Sequence, residues 1–457
     1  MKGQSGWSYS PYRPFLTETG DLYVCRIAPT ENSIHIEWLD TKEDEYNVFV
    51  RRRGAEFFDM AGKTRANEFD ITGLDRETDY EFFVSSKCGK SLIRLARCGV
   101  SVGTTVNYLH PDDTAYSFSG RYLCSPSLLR LPDGILLASM DVYAPGAPQN
   151  LTLIFRSEDN GETWHYSCEL MPCFWGKMFL HNRKIYMLAC STEYGDLLIG
   201  CSEDGGRSFS SPVTLLRGSN GKDGNVGVHK NPQNIIRYNG RIYETLEWGS
   251  WKNKEYYHAA MVMSCNEDDD LLSPESWHFT PPLKYDSRWE GTAPDGEKGC
   301  IEGTLCIDKD GRLMNLMRYQ TEEKKILAFC VNKSDADAPL SFSHAIDFPA
   351  NLSKFMIKFD TVSGKYYSLA SKRIDSPKTR RNLLSLLSSP DLEKWDTVCD
   401  IIDKRYDDLN KIGFQYVDFE IEGDDIIFLC RTAINGAHSF HDSNYSTFHR
   451  IKNFRSL

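Results

Sequence analysis

A chain of 457 residues is too long for one ordinary hydrophobic core and calls for two or three domains, unless a large closed β architecture takes up most of it. Its formal net charge of -11 argues against nucleic acid as a partner, because phosphate-backbone binding needs a basic stripe that releases counterions. Aromatic residues make up 12% and Gly and Pro are scattered throughout, a composition of short strands and tight turns that predicts an all-β fold.

The N-terminal stretch MKGQSGWSYSPYRPF has one Lys and no apolar core, so it reads as neither a secretory signal nor a membrane-spanning helix, and no membrane partner is expected. This predicts a cytoplasmic protein as the sequence stands, with a secreted origin open if a leader has been removed. Residues 1–19 read as an extension and residues 20–105 as a small β-sandwich of seven short strands, including SIHIEWLD around Trp38 and YNVFVRRR from Tyr46. The stretch NEFDITGLDRETDYEFFVSS resembles the fibronectin type III pattern, which implies a packed leucine at Leu74 and a corner tyrosine at Tyr80. The fourteen Cys fall inside apolar runs, as at Cys190, Cys306, Cys330 and Cys430, without CxxC or zinc-type spacing, and read as buried free thiols.

From Tyr108 one plan repeats six times, and an internal repeat of this length decides a fold. The openings are SPSLLRLPDG from Ser125, WGKMFLHNRK from Trp175, NPQNIIRYNG from Asn231, EGTLCIDKDG from Glu302, KFMIKFDTVSG from Lys354 and QYVDFEIEGDD from Gln415. Each ends in a polar turn and runs into a second apolar strand. Residues 106–457 therefore predict a six-bladed β-propeller, with the sixth blade completed by a strand near Asp113–Phe118.

RSEDNGETWHYS (Ser157, Asp159, Gly161, Trp164) and CSEDGGRSFSSP (Ser202, Asp204, Gly206, Phe209) resemble the Asp-box, or BNR repeat, of bacterial neuraminidases, and LLSSPDLEKWDTV (Ser388, Asp391, Trp395) is a worn third copy. In these turns Asp and Ser bond the backbone and the aromatic packs the hairpin, so they read as structural staples.

Inner strands of a propeller converge on its axis. Their first residues and the ends of the second strands nominate Ser125, Ser127, Asp141, Lys177, Glu193, Asn231, Glu247, Trp248, Glu302, Arg318, Lys372, Tyr416 and Arg431, with His229 in the loop before Asn231. The chain resembles the sialidase superfamily at these positions: Glu302 opens an inner strand, Arg318 follows sixteen residues on across Asp310-Gly311, Arg381 (with Arg380 as rival) precedes an Asn-Leu strand, and Tyr416 opens the next blade. The resemblance implies Tyr416 as nucleophile, Glu302 as its charge partner, and Arg318 and Arg381 as binders of a substrate carboxylate. Two departures stand out. The first-blade Arg of that family is replaced by Cys124-Ser125-Pro126, and the loop Tyr143–Asn150 has no acid, which leaves Asp141 as nearest general acid/base.

The expected function is thus an exo-glycosidase hydrolysing a terminal sugar, foremost an acidic one, from a glycan or oligosaccharide, without cofactor or metal; the incomplete arginine clamp leaves a uronic acid or a neutral exo-cleaved residue open beside a nine-carbon acid. Arg431, Glu247 and Trp248 are expected to bind substrate. An alternative is a uronate-directed lyase using His229, Tyr416 and Arg318. Another is a non-catalytic glycan-binding propeller with Trp248 and Trp251 as stacking platforms. The C-terminal cluster of His438, His441, Asp442 and Asn444 lacks metal-ligand spacing.

Overall fold

The computed structural model describes residues 6–7, 22–39, 42–220, 224–296 and 299–457. Six antiparallel sheets follow one another in chain order, each passing outward from an inner strand. The inner strands are Tyr122–Arg130, Phe174–His181, Gly227–His229 with Ile236–Tyr238, Ile301–Ile307, Ile357–Asp360 and Gly413–Glu422. The second strands are Leu136–Tyr143, Lys184–Cys190, Arg241–Gly249, Leu313–Arg318, Lys365–Ser371 and Asp425–Ala433. They are almost wholly buried, so their apolar runs are continuous rather than alternating. The molecule is a six-bladed β-propeller preceded by a small β-sandwich.

In the sandwich, Val24–Pro29, Ser33–Trp38 and Glu68–Thr72 form one sheet, and Asp59–Thr64, Tyr46–Arg52, Asp79–Ser86 and Arg94–Arg97 form the other. Alternate residues Ile34, Ile36 and Trp38 of one sheet meet Val48, Phe82 and Val84 of the other in a shared core. The Asp75 amide donates to the Tyr80 hydroxyl at 2.9 Å, so the tyrosine is tied back to the chain.

The ring closes on Thr104–Tyr108, whose Tyr108 pairs with Tyr445 in the third strand of blade 6. The expected closing segment, Asp113–Phe118, instead turns and packs under the sandwich. Pro111 and a bond from the Asp113 amide to the His110 carbonyl at 2.8 Å start that turn, whereas Thr104, Thr105 and Val106 are β-branched and suit a ladder. Asp113 accepts from Arg94 at 2.8 Å with both side chains buried, and Tyr23 and Tyr116 share a hydroxyl bond of 2.7 Å. Arg26 adds bonds to the carbonyls of Val106 and Thr105 at 2.9 and 3.1 Å. The sandwich is seated on the strand that closes the ring.

Blade 3 departs from the expected opening at Asn231. Its inner strand breaks between His229 and Ile236, because Pro232 offers no amide donor and the next side chains leave the blade: Gln233 donates to the Phe355 carbonyl at 2.8 Å and Asn234 to that of Ile357 at 2.5 Å, both in blade 5. The axis below the site is correspondingly polar. Lys177 pairs with Asp418 at 2.6 Å, Lys230 lies 3.5 Å from Glu244, and Lys354 donates to the Val417 carbonyl at 3.0 Å.

At the blade periphery, Ser157 Oγ donates to Asp159 at 2.8 Å and accepts from the Gly161 amide at 2.8 Å. Asp159 also accepts from the Thr163 amide at 2.9 Å. Ser202, Asp204, Gly206 and Ser208 repeat the pattern. In the third copy Ser389, rather than Ser388, bonds Asp391, which keeps the two-residue spacing of the others. Asp159→Ala is expected to lower stability by about 1–2 kcal/mol in urea denaturation and to leave kcat unchanged. An altered kcat would give the turn more than a stapling role.

Candidate active site

Four inner strands carry the same irregularity. Their ladders shift register between Cys124 and Ser127, Phe174 and Lys177, Ile301 and Thr304, and Gln415 and Asp418. At each bulge one non-glycine residue takes a left-handed conformation: Ser125 (φ 49), Trp175 (φ 56), Glu302 (φ 55) and Tyr416 (φ 56). Such bulges re-aim a side chain at a cost of order 1 kcal/mol each, and here they stand at equivalent points of blades 1, 2, 4 and 6. After Glu302 the chain passes so close to the next strand that a Cβ on Gly303 would lie 2.4 Å from Asn315 Oδ1. Any other residue there would have to displace the side chains of Asn315, Met317 and Thr245.

Beside the bulges of blades 1, 4 and 6 the second strand contributes Asp141 opposite Cys124, Arg318 opposite Ile301 and Arg431 opposite Gln415, and blade 3, which has no bulge there, contributes Glu247 opposite His229. Glu302 and Tyr416 are thereby brought together. The Tyr416 hydroxyl donates to Glu302 Oε1, while Arg318 donates to Glu302 Oε2 at 2.5 Å and to the Tyr416 oxygen at 3.3 Å. Arg318 also bonds Gln320.

The other two guanidinium groups flank the Tyr416 ring, Arg431 at 5.0 Å and Arg381 at 5.6 Å from its centroid. Arg381 donates to Gln415 and to the Leu352 carbonyl, and Arg431 to the His441 carbonyl. All these acceptors are neutral. Among the described residues no carboxylate lies within ion-pair distance of Arg381 or Arg431.

Burial raises the Glu302 carboxyl, but Arg318 and the Tyr416 hydroxyl outweigh it and hold the group below the usual carboxylate range. Burial, reinforced by Glu302, raises the Tyr416 phenol against the opposing pull of the three arginines. The site therefore rests with Glu302 ionised and Tyr416 protonated. Burial lowers Arg381 to about 10, as befits a cation without a counter-charge.

His229 and Glu247 form an adjoining dyad at 2.5 Å, and Glu247 Oε1 accepts from the Gly303 amide at 3.3 Å. His229 is hemmed by the rings of Trp175 and His258, at 4.4 and 4.8 Å. Trp251 stacks edge-on to His258 at 4.4 Å and is 41% exposed. Trp248 packs into the apolar layer of blades 2 and 3; it neighbours Glu247 in the strand and so projects to the other face. Asp141 has no solvent exposure. Its oxygens accept from Thr152 at 2.5 Å and the Trp175 amide at 2.7 Å, and burial raises its carboxyl to about 7. It buttresses the blade 2 bulge. His438 and His441 fold over blades 6 and 1, with His438 against Tyr122 at 2.9 Å and His441 against Asp442 at 3.1 Å.

Gln415, Gln320 and Tyr143 escaped the sequence reading as site residues. Gln415 was detectable, since it opens the blade 6 inner strand immediately before Tyr416 and stands opposite Arg431 in the ladder.

Comparison with solved structures gives the same architecture. An α-L-arabinofuranosidase of Fusarium graminearum, a point mutant in complex with an iminosugar inhibitor, superimposes with a TM-score of 0.53 at 13% identity, covering 76% of this chain and 97% of that one. The Hadza microbial sialidase Hz136 superimposes at 0.51 with 12% identity over 96% of this chain and 97% of its own. An α-L-arabinanase of Penicillium chrysogenum, complexed with arabinobiose, gives 0.50 at 13% identity over 78% and 98%. The fold is a sialidase-like propeller. At these identities the likeness is one of fold. No protein-family model and no curated protein matches the chain.

Proposed function

We propose that the chain is a glycoside hydrolase that removes a terminal acidic sugar from a glycan or oligosaccharide. The observation that carries this reading is the pair of buried, uncompensated guanidinium groups of Arg381 and Arg431 on either side of Tyr416. A buried cation without a counter-ion is costly, and a substrate carboxylate would supply the missing charge with charge-assisted hydrogen bonds. Arg431 takes the place of the arginine that blade 1 lacks.

In the proposed reaction the Tyr416 oxygen attacks the anomeric carbon as its proton passes to Glu302, and the bond to the leaving oxygen breaks with its electron pair. A neutral phenol approaches an anomeric centre bearing a carboxylate without the repulsion an anionic nucleophile would meet. Arg318 keeps Glu302 ionised and oriented.

Arg381→Gln is expected to raise KM for an acidic glycoside by about 10–100-fold, corresponding to one lost charge-assisted contact, with a smaller change in kcat. An unchanged KM would remove the carboxylate clamp from the proposal. The decisive assay incubates the protein with 4-nitrophenyl glycosides of N-acetylneuraminic, glucuronic and galacturonic acids and with uronate oligosaccharides, following released sugar and unsaturated-product absorbance together. The His229–Glu247 dyad, a base with its orienting carboxylate, favours elimination as the second reading. Absorbance without hydrolysis would select it, and binding without turnover would leave a glycan-binding propeller.

A further inference from the structure

A glycosidase of this kind needs a proton donor for the leaving oxygen, and the carboxyls already described do not serve. Glu302 is ionised between Arg318 and Tyr416, and Asp141 and Glu247 have no solvent-exposed surface. Glu193 differs from all three: it is partly exposed, in the turn that follows the second strand of blade 2. Blades 2, 4 and 6 alternate around the axis, so Glu193 stands on the third side of a site whose other two sides carry Glu302 and Tyr416.

The loop Tyr143–Asn150 has no acid of its own, but it reaches across to this one. Gln149 Nε2 donates to Glu193 Oε2 at 3.4 Å, and the Pro148 carbonyl accepts from Thr192 Oγ1 at 2.5 Å. Gln149 is itself buried, in a left-handed conformation (φ 52), and its Oε1 has no partner among the described residues. We infer that Glu193 is the general acid/base of this site, presented by the Tyr143–Asn150 loop with Gln149 as a positioning residue. This rests on the glycosidase reading above.

Burial raises the Glu193 carboxyl, opposed by His229, Trp251, Gln149 and Lys252; Tyr143, Tyr194 and Cys124 also face it. Glu193 gives its proton to the glycosidic oxygen as the carbon–oxygen bond breaks and Tyr416 bonds the anomeric carbon. The Glu193 carboxylate then takes a proton from water, whose oxygen displaces Tyr416. Tyr416 recovers its proton from Glu302, and every group returns to its starting state.

The test compares methyl and 4-nitrophenyl glycosides of the three acidic sugars with wild type, Glu193→Gln and Gln149→Ala, with thermal melts confirming folding. For Glu193→Gln, kcat/KM is expected to fall about 10²–10⁴-fold on the methyl glycoside, whose leaving group needs the proton, and less than about tenfold on the nitrophenyl one. The wild-type fall in kcat/KM as pH rises through the Glu193 pKa should vanish in Glu193→Gln and shift to higher pH in Gln149→Ala, which removes a donor that favours the ionised carboxyl. An equal loss on both leaving groups, or a persistent alkaline limb, overturns the assignment while leaving the glycosidase reading intact. Wild type silent on all six glycosides overturns both.

Discussion

Tyr416→Phe is expected to lower kcat/KM on the responsive acidic aryl glycoside by at least about 10³-fold, the scale set by removing a nucleophile outright. The replacement deletes one oxygen and keeps the ring on which Arg381 and Arg431 lie. Glu302 keeps its bond to Arg318, so no buried charge loses its only partner. Thermal stability should therefore change little while turnover collapses, and that divergence separates chemistry from structure. A Tyr416→Phe enzyme of near-wild-type rate would remove Tyr416 from the reaction and turn attention to the His229–Glu247 dyad. Because Glu302 is held below the usual carboxylate range, its ability to accept the phenol proton should persist to mildly acidic pH and fail only as pH falls through that lowered value.

Lys177→Met is expected to cost about 3–5 kcal/mol of stability, the range for stripping one partner from a buried ion pair. Asp418 is fully buried, and its Oδ2 accepts from both Lys177 Nζ at 2.6 Å and the Leu128 amide at 2.8 Å. Without Lys177 the carboxylate must stay charged in the interior or take up a proton. The double variant Lys177→Met with Asp418→Asn should recover much of the loss, since the amide oxygen can still accept from Leu128. Urea midpoints of the single and double variants measure this directly; equal loss in both would mean that packing, not charge, is at stake. Burial lowers Lys177, but Asp418 outweighs it and the net shift is upward. The stability that this shift contributes is therefore complete below the unfolded lysine pKa and is lost only as pH rises through the higher folded value.

The repeat was legible because each inner strand runs through a polar turn into an apolar partner, a purely local pattern. Glu302 and Arg318 were legible through their spacing, which the register Ile301 to Arg318 explains. The same register sets Arg431 opposite Gln415 in blade 6, at the end of a second strand, which is the position that nominated it. Trp248 was misplaced by strand parity: Glu247 and Trp248 cannot both face the axis. The closing strand pairs with Tyr445, and its local signal, the β-branched run Thr104, Thr105 and Val106 ahead of the turn at Pro111, lies just before the segment expected to close the ring. Asp141 stands where position nominated it, yet neighbours from blade 2 enclose it, and enclosure by a neighbouring blade leaves no mark in the residue's own strand.

The pairing of Thr104–Tyr108 with Tyr445–Ile451 also fixes an order of events as the chain emerges during synthesis. The sandwich precedes every blade, so it can form while the rest is still unmade. It then holds out a bare strand whose mate is among the last segments to arrive. Until that segment docks, both edges of the growing ring stay open to mispairing with a neighbouring molecule. The sandwich holds that waiting strand through Arg26 on Thr105 and Val106, which makes the small domain the anchor on which the larger one's last pairing is made.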